Sequence, residues 1–330
     1  MKRVGLVGYY GFGNYGDELF RRVFEQQLKG YEVVLPEQVT GVKKSFDATA
    51  EQRQKFADSV DFIIIGGGDL IRPGDGFVNH WFKEYLTRPV AIAGVGVAKW
   101  AGSNSAVIKD ITAFLQHENL RYISVRDEPS KNWLDANCKP SVPVQFRYDL
   151  VCAYDFPQAP EKKDRIGVIL WEQANEEKKK LTARTLTNIQ RYADAKSLEV
   201  VVINPSHGFH FDKDQQFIDS IVPSNVKVIA PQSIDGVTAE IGKCKIISSA
   251  KFHGCVAALM MGVSATTISK IDKFKNFYEL LERPDLLGGI YDTPYSKCYT
   301  HVDVAIPSYF RQMARSSALQ GIDELKRAIG

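Results

Sequence analysis

The 330-residue chain predicts an α/β protein of two Rossmann-like, doubly wound domains facing a cleft. Three observations lead there. Short apolar runs alternate with helical segments along most of the chain, the pattern of parallel strands joined by crossover helices. Several of those runs end in glycine, as strands do where a doubly wound sheet approaches a ligand. The alternation breaks at residues 153–164, a charged stretch carrying Pro157 and Pro160, and then begins again.

The first series opens with a strand over Val4–Val7, a glycine-rich loop from Gly8 to Gly16, and an amphipathic helix that Asp17 and Glu18 begin. Leu19, Phe20, Val23, Phe24 and Leu28 share one face of that helix, and its two leading carboxylates suit the positive end of its dipole. Strands follow at Tyr31–Leu35 and Val60–Ile65, the second running into Gly66-Gly67-Gly68-Asp69. Another strand covers Val90–Val95 and a helix Val107–Phe114; the strand from Tyr122 ends at Arg126-Asp127-Glu128, before a helix from Ser130. Val142–Phe146 closes this half.

The second series reads as strand Ile166–Leu170, helix Glu176–Ala195, strand Glu199–Ile203, a loop to Asp212, helix Asp214–Ile221 and strand Val226–Ile229. Helix Ser233–Gly242 leads to Ile246-Ile-Ser-Ser-Ala-Lys251-Phe252-His253-Gly254, an almost wholly apolar helix stopped by Gly262, and strand Ser264–Ile268. The expected division is 1–155 for the N-terminal domain, 156–305 for the C-terminal domain, and 306–330 for a closing helix able to pack back on the first domain.

Composition narrows the function classes. A net charge of +3 without a dense basic block gives no nucleic-acid surface, and Lys178-Lys179-Lys180 reads as a solvated helix face. Cys138, Cys152, Cys244, Cys255 and Cys298 are scattered, odd in number and without a C-x-x-C pair. That argues against a disulfide framework or zinc site and fits a reducing cytosol. Met1-Lys2-Arg3 runs straight into a strand, unlike a signal peptide, and no apolar run reaches the ~20 residues of a membrane span. The expected location is cytoplasmic, with room for peripheral contact at the inner face of a membrane.

The stretch around Lys251 is the strongest candidate site. A strand feeding a buried helix through a short turn leaves backbone N–H groups and a dipole that favour an anion. Lys251 adds a fixed cation, and His253 is the residue type that titrates near neutral pH. Arg126, at a strand end, is placed for a carboxylate or phosphate, or for pairing with its acidic neighbours. Gly11-x-Gly13-x-x-Gly16 matches the dinucleotide fingerprint, with Glu37 near the ribose position. However, Gly8-Tyr9-Tyr10 separates the strand from the first glycine, and Asp17 and Glu18 would repel a pyrophosphate. His207-Gly-Phe-His210-x-Asp212 lacks the spacing of a helical zinc pair, so Asn204 and His207 read better as substrate contacts. Trp100, Tyr9, Tyr10 and Tyr15 are candidate sugar-stacking rings, or packing.

Four stretches together resemble the polysaccharide pyruvyl transferase family: Gly8-Tyr-Tyr-Gly-Phe-Gly-Asn14-Tyr-Gly16-Asp17-Glu18, Gly66-Gly-Gly-Asp-Leu70, Ser124-Val-Arg126-Asp127-Glu128-x-Ser130, and Lys251-Phe-His253-Gly254. The family pattern at the last has arginine where this chain has Lys251, which keeps the charge and loses the bidentate fork. The resemblance implies a GT-B-like fold and transfer of pyruvate from phosphoenolpyruvate to two hydroxyls of one sugar, forming a cyclic ketal on a cell-envelope glycan or exopolysaccharide. It implies no metal and no redox cofactor, with phosphoenolpyruvate as donor and a sugar or lipid-linked oligosaccharide as acceptor.

On that reading Lys251, Phe252, Gly254 and Arg126 bind the donor, and His253 transfers a proton. Asp17, with Asn14, orients or deprotonates an acceptor hydroxyl, while Gly67, Gly68, Asp69 and His207 complete the acceptor side. Asp17 as a helix-start carboxylate and Asn14 as a turn residue are the plain alternatives. A GT-B glycosyltransferase using a sugar nucleotide and a non-catalytic glycan-binding protein are the rival functions. The acceptor sugar and the oligomeric state are not legible in the sequence.

Overall fold

The structure, a computed structural model, describes residues 1–42, 47–75, 80–158, 160–173, 175–268, 271–287 and 306–330. It divides into two compact units. Unit 1 comprises Met1–Gly11, Leu19–Tyr154 and Met313–Gly330; unit 2 comprises Phe12–Glu18 and Asp155–Gln312.

Unit 1 is built on strands β1 (Arg3–Val7), β2 (Glu32–Val34), β3 (Phe62–Gly66), β4 (Val90–Val95), β5 (Leu120–Val125) and β6 (Val144–Phe146). All pair in parallel, in the order β2-β1-β3-β4-β5-β6. Strand order reverses between β1 and β3, where Val7 lies opposite Ile65. Crossovers are supplied by α1 (Tyr15–Gln27), α2 (Pro36–Thr40), α3 (Ala50–Asp58), α4 (Ser105–Leu115) and α5 (Glu128–Asn137). Leu19, Phe20, Val23, Phe24 and Leu28 are all buried, as their spacing predicts, and each contributes roughly 1.5–3 kcal/mol of burial. Sequence periodicity did not reveal α2 or α3; α3 has a Thr49 capping box and buries only Phe56 and Ala57, too few residues for an apolar stripe.

In unit 2 the strands are β7 (Arg165–Ile169), β8 (Glu199–Ile203), β9 (Lys227–Ile229), β10 (Ile246–Ser249) and β11 (Ser264–Thr267). They are parallel in the order β11-β10-β7-β8-β9, so the reversal falls between β7 and β10. The helices are α6 (Glu176–Ala195), α7 (Phe211–Ile221), α8 (Ile234–Gly242), α9 (Phe252–Met260), α10 (Asp272–Leu280) and α11 (Ser308–Ile329). Gly262, with φ of 70°, turns the chain after α9.

Two boundaries differ from the sequence division. Residues 12–18, expected with the N-terminal domain, group with unit 2. Long-range contacts tie them there: Tyr15 is buried with its hydroxyl 2.8 Å from Thr238 Oγ1, and Gly13 and Phe12 accept backbone bonds from His207 and His210. The last helix changes unit at Met313. Its later turns bond within unit 1, where Glu324 accepts from Tyr122 Oη at 3.2 Å and from Arg147 Nε at 3.1 Å.

Among the described residues no helix is long and apolar enough to cross a membrane. Cys138, Cys152, Cys244 and Cys255 are buried free thiols, and Cys298 lies outside the described residues. Burial raises the pKa of Cys244 to about 11 and of Cys255 to about 12, so both stay protonated and unreactive at neutral pH.

His80 is fully buried in unit 1, and burial lowers its pKa from 6.5 to about 4. The folded protein therefore holds it neutral while the unfolded chain takes up a proton below about pH 6.5. Stability is full above that value and falls as pH drops toward 4, by roughly 3 kcal/mol from this group. Denaturant titrations between pH 7.5 and 4 should show that loss, and His80→Gln should flatten the slope; an equal slope in both proteins contradicts the assignment.

Candidate functional site

In an open parallel sheet the ligand-binding edge lies beyond the carboxyl ends of the strands, at the order reversal. In unit 2 this is the end of β7 and β10, and the Lys251 turn lies there. Ser249 Oγ accepts the Lys251 N–H at 3.1 Å and donates to the Lys251 carbonyl at 2.7 Å, closing the turn. Lys251 is the extended residue before α9. Gly254 is glycine because α9 lies tight on the sheet: an added Cβ would be 2.6 Å from Ser249 Oγ and 2.8 Å from Ile169 Cδ1.

The Lys251 side chain reaches across to the loop after β8 and the first turn of α7. Its Nζ donates to Ser206 Oγ at 2.8 Å and pairs with Asp214, to whose Oδ2 Ser206 also donates. Two of the three ammonium donors are thereby committed, and one carboxylate offsets the charge. Asn204, expected at a substrate, is fully buried; it accepts from the Ser206 N–H and donates to Gln215, so it holds this loop. His210 stands beside the ion pair. Burial and the Lys251 charge lower its pKa, so it is neutral at pH 7.

The stretch from Phe12 to Glu18 belongs to the same unit. Asn14 Oδ1 accepts the Gly16 N–H at 3.1 Å, and Glu18 Oε1 accepts the Gly13 N–H at 3.2 Å. Asn14 therefore starts α1, and Asp17 is a half-buried residue of its first turn. The Gly13 and Gly16 amides are thus committed to Glu18 and Asn14 rather than open to a pyrophosphate. Gly13 (φ 81°) packs so closely on His207 that a Cβ would fall 1.6 Å from the His207 carbonyl oxygen. Gly16 likewise lies close against the His253 imidazole. His207 Nδ1 is buried without a hydrogen-bond partner among the described residues, a state polar groups rarely hold without a ligand or water.

Unit 1 holds the other predicted residues. Arg126 is buried, pairs with Asp69 and lies 3.5 Å from Asp149 Oδ2. Burial opposes its charge, and Asp69 and Asp149 more than offset this, so its pKa is raised. Two carboxylates therefore stand around this one guanidinium. Of the two acidic neighbours expected to pair with it, Asp127 and Glu128, Asp127 caps α5 by accepting the Ser130 N–H at 2.8 Å. Gly67 and Gly68 are both at positive φ; Gly67 packs against Phe20, and the Gly68 carbonyl accepts from Gly96 N–H at 2.8 Å. These two glycines and Asp69 therefore have structural work in unit 1. The structure thus brings Asn14, Asp17, His207, Lys251, Phe252, His253 and Gly254 into one unit, and Arg126, Gly67, Gly68 and Asp69 into the other.

A profile of the polysaccharide pyruvyl transferase family matches residues 14–269. The chain belongs to this family. No curated protein matches it in sequence. Among solved structures, the UDP-GlcNAc 2-epimerase of Methanocaldococcus jannaschii is similar at a TM-score of 0.61 and 11% identity, covering 99% of this chain and 100% of that one. The S. aureus MnaA–UDP structure gives 0.59 at 11% identity, covering 99% and 95%. The Neisseria meningitidis UDP-GlcNAc 2-epimerase, bound to UDP-GlcNAc, gives 0.57 at 14% identity, covering 99% of each. At such identities the likeness is one of fold, and this pyruvyl transferase family member has the GT-B-type architecture of two parallel-sheet α/β units.

Among the expected stacking rings, Tyr10 and Tyr15 are buried, with hydroxyls on Gly66 O and Thr238, so they are packing. Trp100 is exposed over the Arg72 guanidinium in unit 1. Trp171 and Phe209 were not singled out, yet both are exposed aromatics beyond the carboxyl ends of β7 and β8. Their only sequence signal was position after a strand. Among the described residues no three His, Cys, Asp or Glu side chains are grouped to hold a metal.

The Lys251–Asp214 pair is 15% and 9% exposed at its side chains, whereas Lys245–Asp164 is 51% and 68% exposed. Asp214→Ala strands a buried ammonium and should destabilise the protein by about 3 kcal/mol. Lys245→Ala should cost under about 1 kcal/mol. Similar losses in urea unfolding would show that Lys251 is not locked by Asp214.

Proposed function

We propose that this family member transfers the pyruvyl group of phosphoenolpyruvate to two hydroxyls of one sugar, free or lipid-linked, in a cell-envelope or exopolysaccharide glycan. The supporting observation is the grouping of Lys251, the α9 N-terminus and His253 at the order reversal of unit 2, with the residues 12–18 stretch in the same unit. Phosphoenolpyruvate carries a carboxylate and a phosphate, which suit a helix N-terminus, the remaining Lys251 donor and imidazole N–H groups.

The chemistry balances on two hydroxyl protons. A proton reaches the enol methylene, giving a methyl group and oxocarbenium character at the adjacent carbon. The first sugar hydroxyl bonds to that carbon and releases its proton. The second hydroxyl then displaces inorganic phosphate, which departs with the second proton, and the cyclic ketal closes. His253 is the proton-transfer residue in this reading, with Asp17 and His207 facing the acceptor hydroxyls. The half-buried first-turn position of Asp17 and the unpartnered Nδ1 of His207 support those two roles. No metal or redox partner is required, because the donor already contains an activated enol and a leaving phosphate. An acceptor on a lipid carrier places the enzyme at the cytoplasmic face of a membrane as a peripheral protein.

A sugar-nucleotide reading draws on fold alone, through the UDP and UDP-GlcNAc named for the similar structures. Incubation of phosphoenolpyruvate with a panel of glycosides bearing paired hydroxyls separates the two. The expected result is one phosphate released for each acceptor that gains a pyruvate less one water. His253→Ala should lower the rate by about 100-fold or more while phosphoenolpyruvate still raises the melting temperature. Thermal stabilisation by UDP-GlcNAc and none by phosphoenolpyruvate would overturn the proposal.

A further inference from the structure

We propose that Gly16 is a positioning residue for His253: its missing side chain lets the first turn of α1 lie against the imidazole and fix the ring. The role in turnover rests on the pyruvyl-transfer reading above, and the geometric part stands without it. A Cβ built on Gly16 would lie 1.9 Å from His253 Nδ1, 2.6 Å from Cγ and 2.9 Å from Cε1. Real Cβ atoms essentially never approach other atoms within 3.0 Å. Gly16 is helical and its φ is not positive, so no backbone conformation calls for glycine here. The reason for glycine is therefore space, and the space is filled by His253.

Both sides of the contact are held in place. On the α1 side, Asn14 Oδ1 accepts the Gly16 N–H, the Asn14 carbonyl accepts the Glu18 N–H at 3.0 Å, and Tyr15 bonds Thr238. On the α9 side, the Phe252 ring meets the imidazole edge-on with centroids 5.0 Å apart. Phe252 is itself wedged edge-on by Phe274 at 5.5 Å and Phe277 at 5.4 Å. The imidazole is thus confined between a fixed aromatic cluster and a fixed helix start, with Nδ1 facing Gly16. In this account Asn14, Gly16 and Glu18 of the N-terminal motif act through His253, and displacing the ring by about 1 Å is enough to cost some 100-fold in rate.

The test is Gly16→Ala, made alone and with His253→Ala, read by melting temperature, by turnover with its pH profile, and by the His253 ring resonances of the full-length protein without ligand. Alone, Gly16→Ala should lower the melting temperature, shift the His253 resonances, cut kcat about 100-fold and change the pH profile of turnover, with the phosphoenolpyruvate KM little changed. With His253→Ala present, the added methyl enters the vacated space, so the same substitution should leave the melting temperature unchanged or raise it. Equal changes in melting temperature in both backgrounds, or unmoved His253 resonances, would overturn the proposal whatever the activity. Should His253→Ala alone retain normal turnover, the catalytic reading of His253 fails while the coupling experiment still decides the contact.

Discussion

Everything proposed for this protein depends on one feature of its second sheet, the reversal of strand order between β7 and β10. Parallel strands send their crossover helices off from the same edge, so helix N-termini and strand-end loops collect there. The loop after β8 brings Ser206, α7 brings Asp214, and the turn after β10 brings Lys251 and His253. Ser206 and Asp214 lie 8 residues apart, and Lys251 follows 37 residues after Asp214. The sheet order makes them neighbours.

Close backbone approach is the second constraint. Gly13, Gly16 and Gly254 each occupy a place where a Cβ would collide with His207, His253 or Ser249. Gly13 and Gly16 are therefore spent on close packing, although the motif's spacing imitates a phosphate cradle. They let residues 12–18 lie against His207 and His253 within unit 2. The two basic residues of the sequence reading separate for an electrostatic reason. Arg126 is enclosed by Asp69 and Asp149 and carries net negative surroundings, whereas Lys251 shares one carboxylate and stands at a helix N-terminus. A lysine lacks the bidentate fork of arginine, and Ser206 and Asp214 supply from outside the orientation that the fork would give.

Much of the fold was legible because its signals are local. Strands β4 and β8 and helix α6 follow from apolar runs and a long amphipathic pattern, and α9 from an apolar run closed by Gly262. Helices α2, α3 and α10 were not read; they are short, and α2 begins at Pro36 with one buried residue. The site was legible as motifs and illegible as contacts. Nothing near Lys251 in the sequence points to Asp214, 37 residues away, and nothing near Arg126 points to Asp149. The grouping of residues 12–18 with unit 2 rests on Tyr15 meeting Thr238 and Gly16 meeting His253, both pairings over more than 200 residues. Periodicity carries no information at that range.

Hydrogen–deuterium exchange with saturating phosphoenolpyruvate measures most directly where the donor binds. Slowed exchange in the amides of residues 249–254, with 66–69 and 126 unchanged, is the predicted result. Protection confined to residues 66–69 and the Arg126 turn would contradict it and return the anion site to unit 1.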